Sequence, residues 1–163
     1  MSKSRGEDLL EEIKEIMIKK KITISAAESC TGGGLSSLLT SLPGASKYFI
    51  LGTVTYTNEM KSVILNVAAD TIDDCSAVSH ESAREMADGV RKISGSDIGI
   101  STTGYAGPDG GVEKDPVGTV YIGFAIENSV DSIRLSLQGS RKEIIRTACR
   151  SALGILYEKL ANI

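Results

Sequence analysis

Tryptophan is absent from this chain of 163 residues, and aromatic residues make up only 4% of it. A surface that binds nucleic acid usually combines stacking aromatics with clustered basic side chains. Here the 18 Lys and Arg residues are dispersed and are outnumbered by 21 Asp and Glu residues, for a net charge of −3. The composition therefore argues against a nucleic-acid partner.

Cysteine and histidine are also scarce. The cysteines Cys30, Cys75 and Cys149 form no CxxC pair, and their odd number argues against a disulfide framework or a zinc ribbon. No hydrophobic run is long enough to span a membrane, and the first twenty residues are too rich in Glu and Lys for a signal peptide. We therefore expect a cytoplasmic protein with no metal, no cofactor and no membrane contact.

Helix-type and strand-type hydrophobic patterns alternate along the chain. Helices are predicted at 9–17, 33–42, 58–65, 80–94 and 141–160, strands at 22–24, 48–57, 97–103, 117–127 and 133–137, and an irregular segment at 69–77. The last two strands should form a hairpin, and the strand at 48–57 should be buried on both faces in its first half. This order predicts one domain over residues 1–163, a three-layer α/β/α sandwich with a mixed sheet of about five strands.

The stretch 22–34, ITISAAESCTGGG, joins a short β-branched strand to a helix through three consecutive glycines. A helix N-terminus after such a loop offers unpaired amides and a positive dipole end, which suit phosphate or a developing oxyanion. The glycine spacing matches neither the Walker loop nor the dinucleotide fingerprint, and an ordinary turn has a similar composition. The same stretch contains a candidate nucleophile, Ser29.

A serine hydroxyl needs a base before it can attack. The only histidine, His80, lies at the start of a predicted helix, where an exposed position is the favoured interpretation. A buried lysine of lowered pKa, relayed through a tyrosine, is the alternative. Tyr56, Asn58 and Lys61 stand together at a strand end and could supply it, although Lys61 also fits an ordinary surface lysine.

Other reactive side chains lie near the same predicted strand ends. Cys30 is an intrinsically better nucleophile than Ser29 but lacks a convincing base, and a small buried residue is its alternative interpretation. Arg141 and Arg146 open the last helix, where cations do not complement the dipole, so they could bind phosphate or carboxylate. A second glycine-rich loop, 104–111, follows another strand. Ligands collect at such strand ends in α/β sheets.

Five motifs in order give the chain a strong resemblance to the CinA C-terminal domain family. They are AESCTGG at 27–33, TYTNEMK at 55–61, TGYAGPDGG at 103–111, PVGTVY at 116–121 and GSRKEIIR at 139–146. Members of that family act as nicotinamide mononucleotide deamidases of the PncC type. The resemblance implies hydrolysis of a pyridine mononucleotide carboxamide without a cofactor, by a homo-oligomer.

Carried over by position, the resemblance implies that Ser29 is the nucleophile, Lys61 the general base and Tyr56 an aid to proton transfer. It also implies substrate-binding positions at Cys30, Thr31, Gly32, Gly33, Asn58, Thr103, Gly104, Ala106, Gly107, Arg141 and Arg146. Arg141, with Arg146, would meet the phosphate.

Two positions depart from the family pattern: Tyr105 stands where many relatives carry isoleucine, and Ser140 where they carry aspartate. These departures motivate a second hypothesis, a non-catalytic nucleotide-binding or regulatory module. A third is a structural partner for a separate pyrophosphatase chain. The larger competence-damage protein carries an N-terminal pyrophosphatase domain, and this sequence resembles the stand-alone form.

Overall fold

The computed structural model describes residues 5–163, which form a five-stranded mixed sheet between two layers of helices. In chain order the elements are α1 Arg5–Lys20, β1 Ile24–Glu28, α2 Gly34–Leu39, β2 Phe49–Val54, α3 Asn58–Leu65, α4 Ala69–Cys75, α5 His80–Ser94, β3 Ile98–Gly104, β4 Thr119–Ile126, β5 Ser129–Ser136 and α6 Arg141–Leu160. A single 3₁₀ turn, Ala45–Lys47, precedes β2. The predicted three-layer α/β/α architecture with a mixed sheet is confirmed.

The sheet order is β2-β1-β3-β4-β5. The neighbours β2, β1 and β3 run parallel, whereas β4 pairs antiparallel with both β3 and β5. The hairpin predicted from the sequence is therefore present, with its turn at Glu127 and Asn128. Because β1, β2 and β3 are parallel, their carboxyl ends meet at one edge of the sheet, which is where the predicted site residues follow.

Two apolar cores hold the layers together. One face of the sheet packs on α1, α2 and α6 through side chains such as Ile13, Leu35 and Leu156, each fully buried. The other face packs on α3 and α5 through Leu65 and Met86. The strand β1 contributes Ile24 and Ala26 to the first core and Ala27 to the second. Both β1 and β3 are covered by helices on their two faces, so neither strand alternates between buried and exposed residues.

Helices begin and end where the sequence predicts when the capping residue is adjacent to the helix in the sequence. Ser79 caps α5 by accepting from the Ser82 amide at 3.1 Å, and Gly95 ends that helix in the left-handed conformation, both as predicted. The second helix is shorter than predicted and ends at Leu39. The Ser41 hydroxyl donates to the Leu38 carbonyl at 2.8 Å and so satisfies an acceptor of the last turn that a further helical amide would otherwise use. Pro43 then disfavours helical geometry at the residue directly before it.

Two further predictions are wrong. The segment 69–77 is not irregular, because α4 spans Ala69–Cys75; Glu85 of α5 accepts from the Ala68 amide at 2.7 Å and from the Thr71 hydroxyl at 2.6 Å. This cap lies far along the chain, so the local sequence does not reveal it. The first half of the strand predicted at 48–57 is not buried on both faces, because β2 is an edge strand and Ile50 is 49% exposed.

No helix within residues 5–163 is both long and apolar enough to cross a membrane.

Candidate functional site

A cleft of about 190 Å³ lies at the carboxyl edge of β1, β2 and β3. Its lining residues are Ser29, Cys30, Tyr56, Asn58, Lys61, Ala77, Val78, Thr103, Gly104, Ala106 and Arg141. Nine of these eleven were predicted as site residues from the sequence. Ala77 and Val78 were missed, because small apolar side chains carry no chemical signal in the sequence.

The centre of the cleft is a direct contact between Lys61 and Ser29, whose Nζ and Oγ atoms lie 3.1 Å apart. Ser29 follows the last residue of β1, and its amide donates to the Thr102 carbonyl of β3 at 2.9 Å. Lys61 comes from the first turn of α3, which Thr57 caps by accepting from the Met60 amide. Neighbouring parallel strands thus bring together two residues that are 32 positions apart.

Lys61 is only 2% exposed, and burial lowers the pKa of its ammonium group from the ordinary value of 10.5. Its Nζ also contacts the backbone carbonyls of Thr55 at 3.1 Å and Tyr56 at 3.3 Å. No carboxylate among residues 5–163 forms an ion pair with it. A neutral amine can donate its two N–H groups to these carbonyls and keep its lone pair for the Ser29 hydroxyl.

The cysteine alternative is disfavoured by the same surroundings. Burial raises the pKa of the Cys30 thiol to about 12, so at neutral pH the residue is a protonated thiol. Since the thiolate is the reactive form, Cys30 is not activated for attack. The lysine amine contacts the serine beside it instead.

Tyr56 differs from its predicted role. Its hydroxyl accepts a hydrogen bond from Arg141 Nη2 at 3.1 Å, and its side chain is 57% exposed. Lys61 contacts only the Tyr56 carbonyl among the polar atoms of that residue. A relay through the tyrosine hydroxyl is therefore not the geometry observed, because the lysine reaches the serine directly.

Arg141 closes the mouth of the cleft. Its Nη1 donates to the Gly107 carbonyl at 2.8 Å while Nη2 contacts Tyr56, so one guanidinium bridges the loops after β2 and β3. No carboxylate within the described part of the chain pairs with it. Arg146, predicted alongside it, is exposed further along α6 and does not line the cleft. The structure thus offers one arginine, not two, at this site.

The first glycine loop differs most from expectation. Thr31, Gly32 and Gly33 do not line the cleft. The amides at the start of α2 are not open to a ligand either, since the Glu28 carboxylate accepts from Gly33, Leu35 and Ser36 at 2.7–3.1 Å. Sequence reasoning did not identify Glu28 as a site residue. A charged residue ending an otherwise apolar strand was the available signal.

The loop leaves two amides without a protein partner. Within residues 5–163, neither the Cys30 nor the Thr31 amide donates a hydrogen bond to another residue, and of these two residues only Cys30 lines the cleft. The Cys30 amide is therefore the donor that the loop can offer to an oxyanion formed at Ser29.

The other predicted residues at the end of β3 and in the loop after it lie at the cleft, whereas His80 lies outside it. The Thr103 hydroxyl donates to the Ala77 carbonyl at 2.7 Å, which ties β3 to the segment before α5. Gly104 and Ala106 line the cleft, and Gly107 contributes the carbonyl that holds Arg141. His80 contacts Ser132 Oγ at 2.8 Å and does not line the cleft, so it is not the base for Ser29. No group of three or more potential metal ligands occurs in residues 5–163.

These features define a class of protein: an α/β/α domain with a buried serine–lysine pair in a cleft at the carboxyl ends of parallel strands. Comparison with known sequences makes the assignment specific. The chain belongs to the CinA C-terminal domain family, whose model matches residues 6–160.

Relatives and solved structures agree with this assignment. A protein of Thermoanaerobacter pseudethanolicus named "Putative competence-damage inducible protein" is 46% identical over 157 residues, which are 94% of this chain and 38% of that protein. The crystal structure of a CinA superfamily protein from Klebsiella pneumoniae has a TM-score of 0.94 at 32% identity, covering 98% of this chain and 100% of that chain. A competence/damage inducible protein from Agrobacterium tumefaciens has a TM-score of 0.91 at 34% identity, covering 97% and 98%.

The chain spans well under half the length of the curated relatives that it matches, between 34% and 39% of each.

Proposed function

We propose that the protein is a nicotinamide mononucleotide amidohydrolase, which releases ammonia and nicotinate mononucleotide. The observation that carries this proposal is the 3.1 Å contact between Lys61 Nζ and Ser29 Oγ in a buried position. Because burial lowers the pKa of Lys61, its amine loses a proton more readily than an exposed lysine does, and a neutral amine can remove the proton of the Ser29 hydroxyl.

The reaction runs in two stages. Ser29 Oγ attacks the carboxamide carbon while its proton passes to Lys61, and the carbonyl oxygen becomes an oxyanion that the Cys30 amide can stabilise. Collapse of this intermediate breaks the C–N bond, and the departing nitrogen takes the proton from Lys61 and leaves as ammonia. Water then attacks the acyl ester, gives its proton to Lys61 and releases the carboxylate product, with that proton returned to Ser29.

The charge at the mouth of the cleft supports an anionic substrate. A volume of about 190 Å³ is smaller than the ~300–1,000 Å³ of typical ligand pockets, so a nucleotide would extend beyond the mouth. Arg141 lies there without a carboxylate partner among the described residues, and a guanidinium suits a phosphate group. The carboxamide would point inward to Ser29 and the phosphate outward to Arg141.

The two departures from the family pattern leave this arrangement intact. Ser140 caps α6 in a capping box with Glu143, so serine performs the capping that aspartate would. Tyr105 does not line the cleft and packs beside Val78 and Tyr121. Neither change removes a residue that the mechanism uses, which favours the enzyme over the non-catalytic module.

Ammonia release from nicotinamide mononucleotide tests the proposal. The wild type should release ammonia, Ser29→Ala should lose nearly all of this activity, and Ser37→Ala, an exposed serine on α2, should behave as the wild type. Titration calorimetry with nicotinate mononucleotide should show binding in all three proteins. Binding without ammonia release by the wild type would instead establish the nucleotide-binding module.

A further inference from the structure

Glu28 is the last residue of β1 and stands directly before Ser29, with 0% of its surface exposed. Its carboxylate accepts five hydrogen bonds. Oε2 accepts from the Thr31 hydroxyl at 2.6 Å and from the amides of Gly33 at 3.1 Å and Leu35 at 3.0 Å. Oε1 accepts from the Ser36 amide at 2.7 Å and the Ser36 hydroxyl at 2.6 Å. Both oxygens are thus satisfied within eight residues of sequence.

No cationic side chain among residues 5–163 forms an ion pair with Glu28. A buried carboxylate is costly without compensation, and here the compensation comes from charge-assisted hydrogen bonds and the positive end of α2. The carboxylate occupies the place that a phosphate takes in other glycine loops. The loop is consequently a closed structural unit, and its donors at Gly33, Leu35 and Ser36 are committed to Glu28.

The loop is fixed at its other end as well. The Ser29 amide donates to the Thr102 carbonyl at 2.9 Å, and the Gly32 amide donates to the Ser29 carbonyl at 3.1 Å. The Thr31 hydroxyl also contacts the Thr102 hydroxyl at 2.6 Å. Within residues 5–163, two amides between Ser29 and α2 have no acceptor in another residue, those of Cys30 and Thr31.

We infer that Glu28 is a positioning residue for the reaction at Ser29: its carboxylate shapes the loop so that the amide of Cys30, which lines the cleft, is held ready for the oxyanion. This inference rests on the proposed function, but it concerns a residue that touches no substrate. Preorganised donors stabilise charge in a transition state because they need no rearrangement as the charge develops. Glu28 provides that preorganisation from inside the fold.

The test is Glu28→Gln, which keeps the shape of the side chain. A glutamine must turn an NH₂ group toward the donors that face one of the two oxygens, so part of the hydrogen-bond set is lost. The matched control is Asp97→Asn, because Asp97 also accepts from an amide and a hydroxyl, those of Thr23, each at 2.8 Å. Asp97 lies at the opposite edge of the sheet from the cleft, before β3.

Three readouts are combined: steady-state deamidation over a pH series, native-state hydrogen exchange, and the rate at which a fluorophosphonate probe labels Ser29. Glu28→Gln should lose exchange protection at Gly33, Leu35 and Ser36. Its kcat should fall about 100-fold, the scale of removing one oxyanion donor, with KM within about threefold and an unchanged pH midpoint. Labelling should slow by a similar factor, and Asp97→Asn should change none of these.

A kcat within about threefold of wild type, despite lost protection in the loop, would overturn the inference. So would a shifted pH midpoint with a large rise in KM, since that pattern means general damage to the site. If the wild type releases no ammonia, the proposed function fails, and the labelling rates alone test the role of Glu28. Slower labelling of Ser29 in Glu28→Gln than in the wild type would support a positioning role. Equal labelling, or no labelling of either protein, would overturn that role. If Glu28→Gln does not fold, Ser36→Ala replaces it, with an expected loss of about 10-fold in kcat.

Discussion

The two glycine-rich strand ends look alike in the sequence and are organised in different ways. The first, residues 29–33 after β1, wraps around a buried carboxylate that belongs to its own strand. The second begins at Gly104, the last residue of β3, and its loop runs through residues 105–118 and is held from outside by the hairpin. A glycine-rich loop at a strand end is therefore not one kind of site, because what fills or ties the loop decides which of its groups face a ligand.

Asp115 is the anchor of the second loop. Only 5% exposed, it accepts from the Tyr121 hydroxyl at 2.8 Å and from Arg134 Nε at 3.1 Å, while its carbonyl accepts from the Val112 amide at 2.9 Å. The two side-chain donors, Tyr121 and Arg134, come from β4 and β5. The loop thereby presents the Gly107 carbonyl that holds Arg141. The first loop serves the reacting carbonyl, and the second serves the arginine at the mouth.

Lys61→Met should have the largest effect on activity, because it removes the proposed general base for Ser29, the nucleophile at the start of the first loop. We expect kcat to fall about 10³-fold or more, within the range found for general bases and activated nucleophiles. Ammonia release measures it, and Lys92→Met, a mostly exposed lysine on α5, is the control. Retained activity in Lys61→Met would mean that the first loop supports some other chemistry.

The same substitution has a pH signature in stability. Burial lowers the pKa of Lys61 in the folded protein from 10.5. Between the folded value and 10.5 the unfolded chain binds a proton that the folded chain does not, so the free energy of unfolding rises with pH in that window. The stability of the wild type relative to Lys61→Met should therefore increase as pH approaches 10.5. Urea unfolding at a series of pH values measures it, and a constant difference would show that Lys61 titrates normally.

Arg141→Ala tests the second loop. It should raise KM by about 10- to 100-fold, the effect of losing roughly 1.4–2.8 kcal/mol of binding, with a smaller change in kcat. Arg146→Ala should leave KM within about twofold, because that side chain is exposed outside the cleft. Equal effects of the two substitutions, measured by initial rates over a substrate range, would restore the two-arginine clamp predicted from the sequence.

The sequence predicted the elements whose signals are local. The α5 boundaries follow from Ser79 and Gly95, and the parallel strand ends place Ser29 and Lys61 at one edge. Features that depend on tertiary contacts could not be predicted from the sequence. The α4 helix depends on the distant Glu85, and β2 is exposed because of its place in the sheet order rather than its composition.

The candidate site shows the same division. Residue identities at the strand ends were sufficient to predict most of the residues that line the cleft. They did not reveal the hydrogen-bond partner of each side chain. Whether Tyr56 faced Lys61 or Arg141, and whether the first-loop amides faced a ligand or Glu28, depends on side-chain directions. These directions are set by packing, which one sequence does not display.

Glycine substitutions sharpen the comparison in terms of stability. A Cβ on Gly104 would lie 2.5 Å from the Thr119 carbonyl oxygen and 2.8 Å from Val120 Cα, so the backbone would have to move. Gly32 has a positive φ of 57° but open space around its Cβ position. We expect Gly104→Ala to lower the free energy of unfolding by about 3 kcal/mol and Gly32→Ala by about 1 kcal/mol. Denaturant titration measures both, and the reverse order would contradict the view that the second loop is the more tightly packed.

Cys30→Ala should have the smallest effect and separates side chain from backbone in the first loop. The substitution removes a buried thiol whose pKa is about 12 but keeps the amide proposed for the oxyanion, so kcat should stay within about threefold. A small loss of stability, about 1 kcal/mol, is expected from the lost packing. Ammonia release and denaturant unfolding measure the two quantities. If activity vanished here while Ser29→Ala retained it, the sulfur would be the nucleophile, and the serine–lysine contact would have to be explained as structure alone.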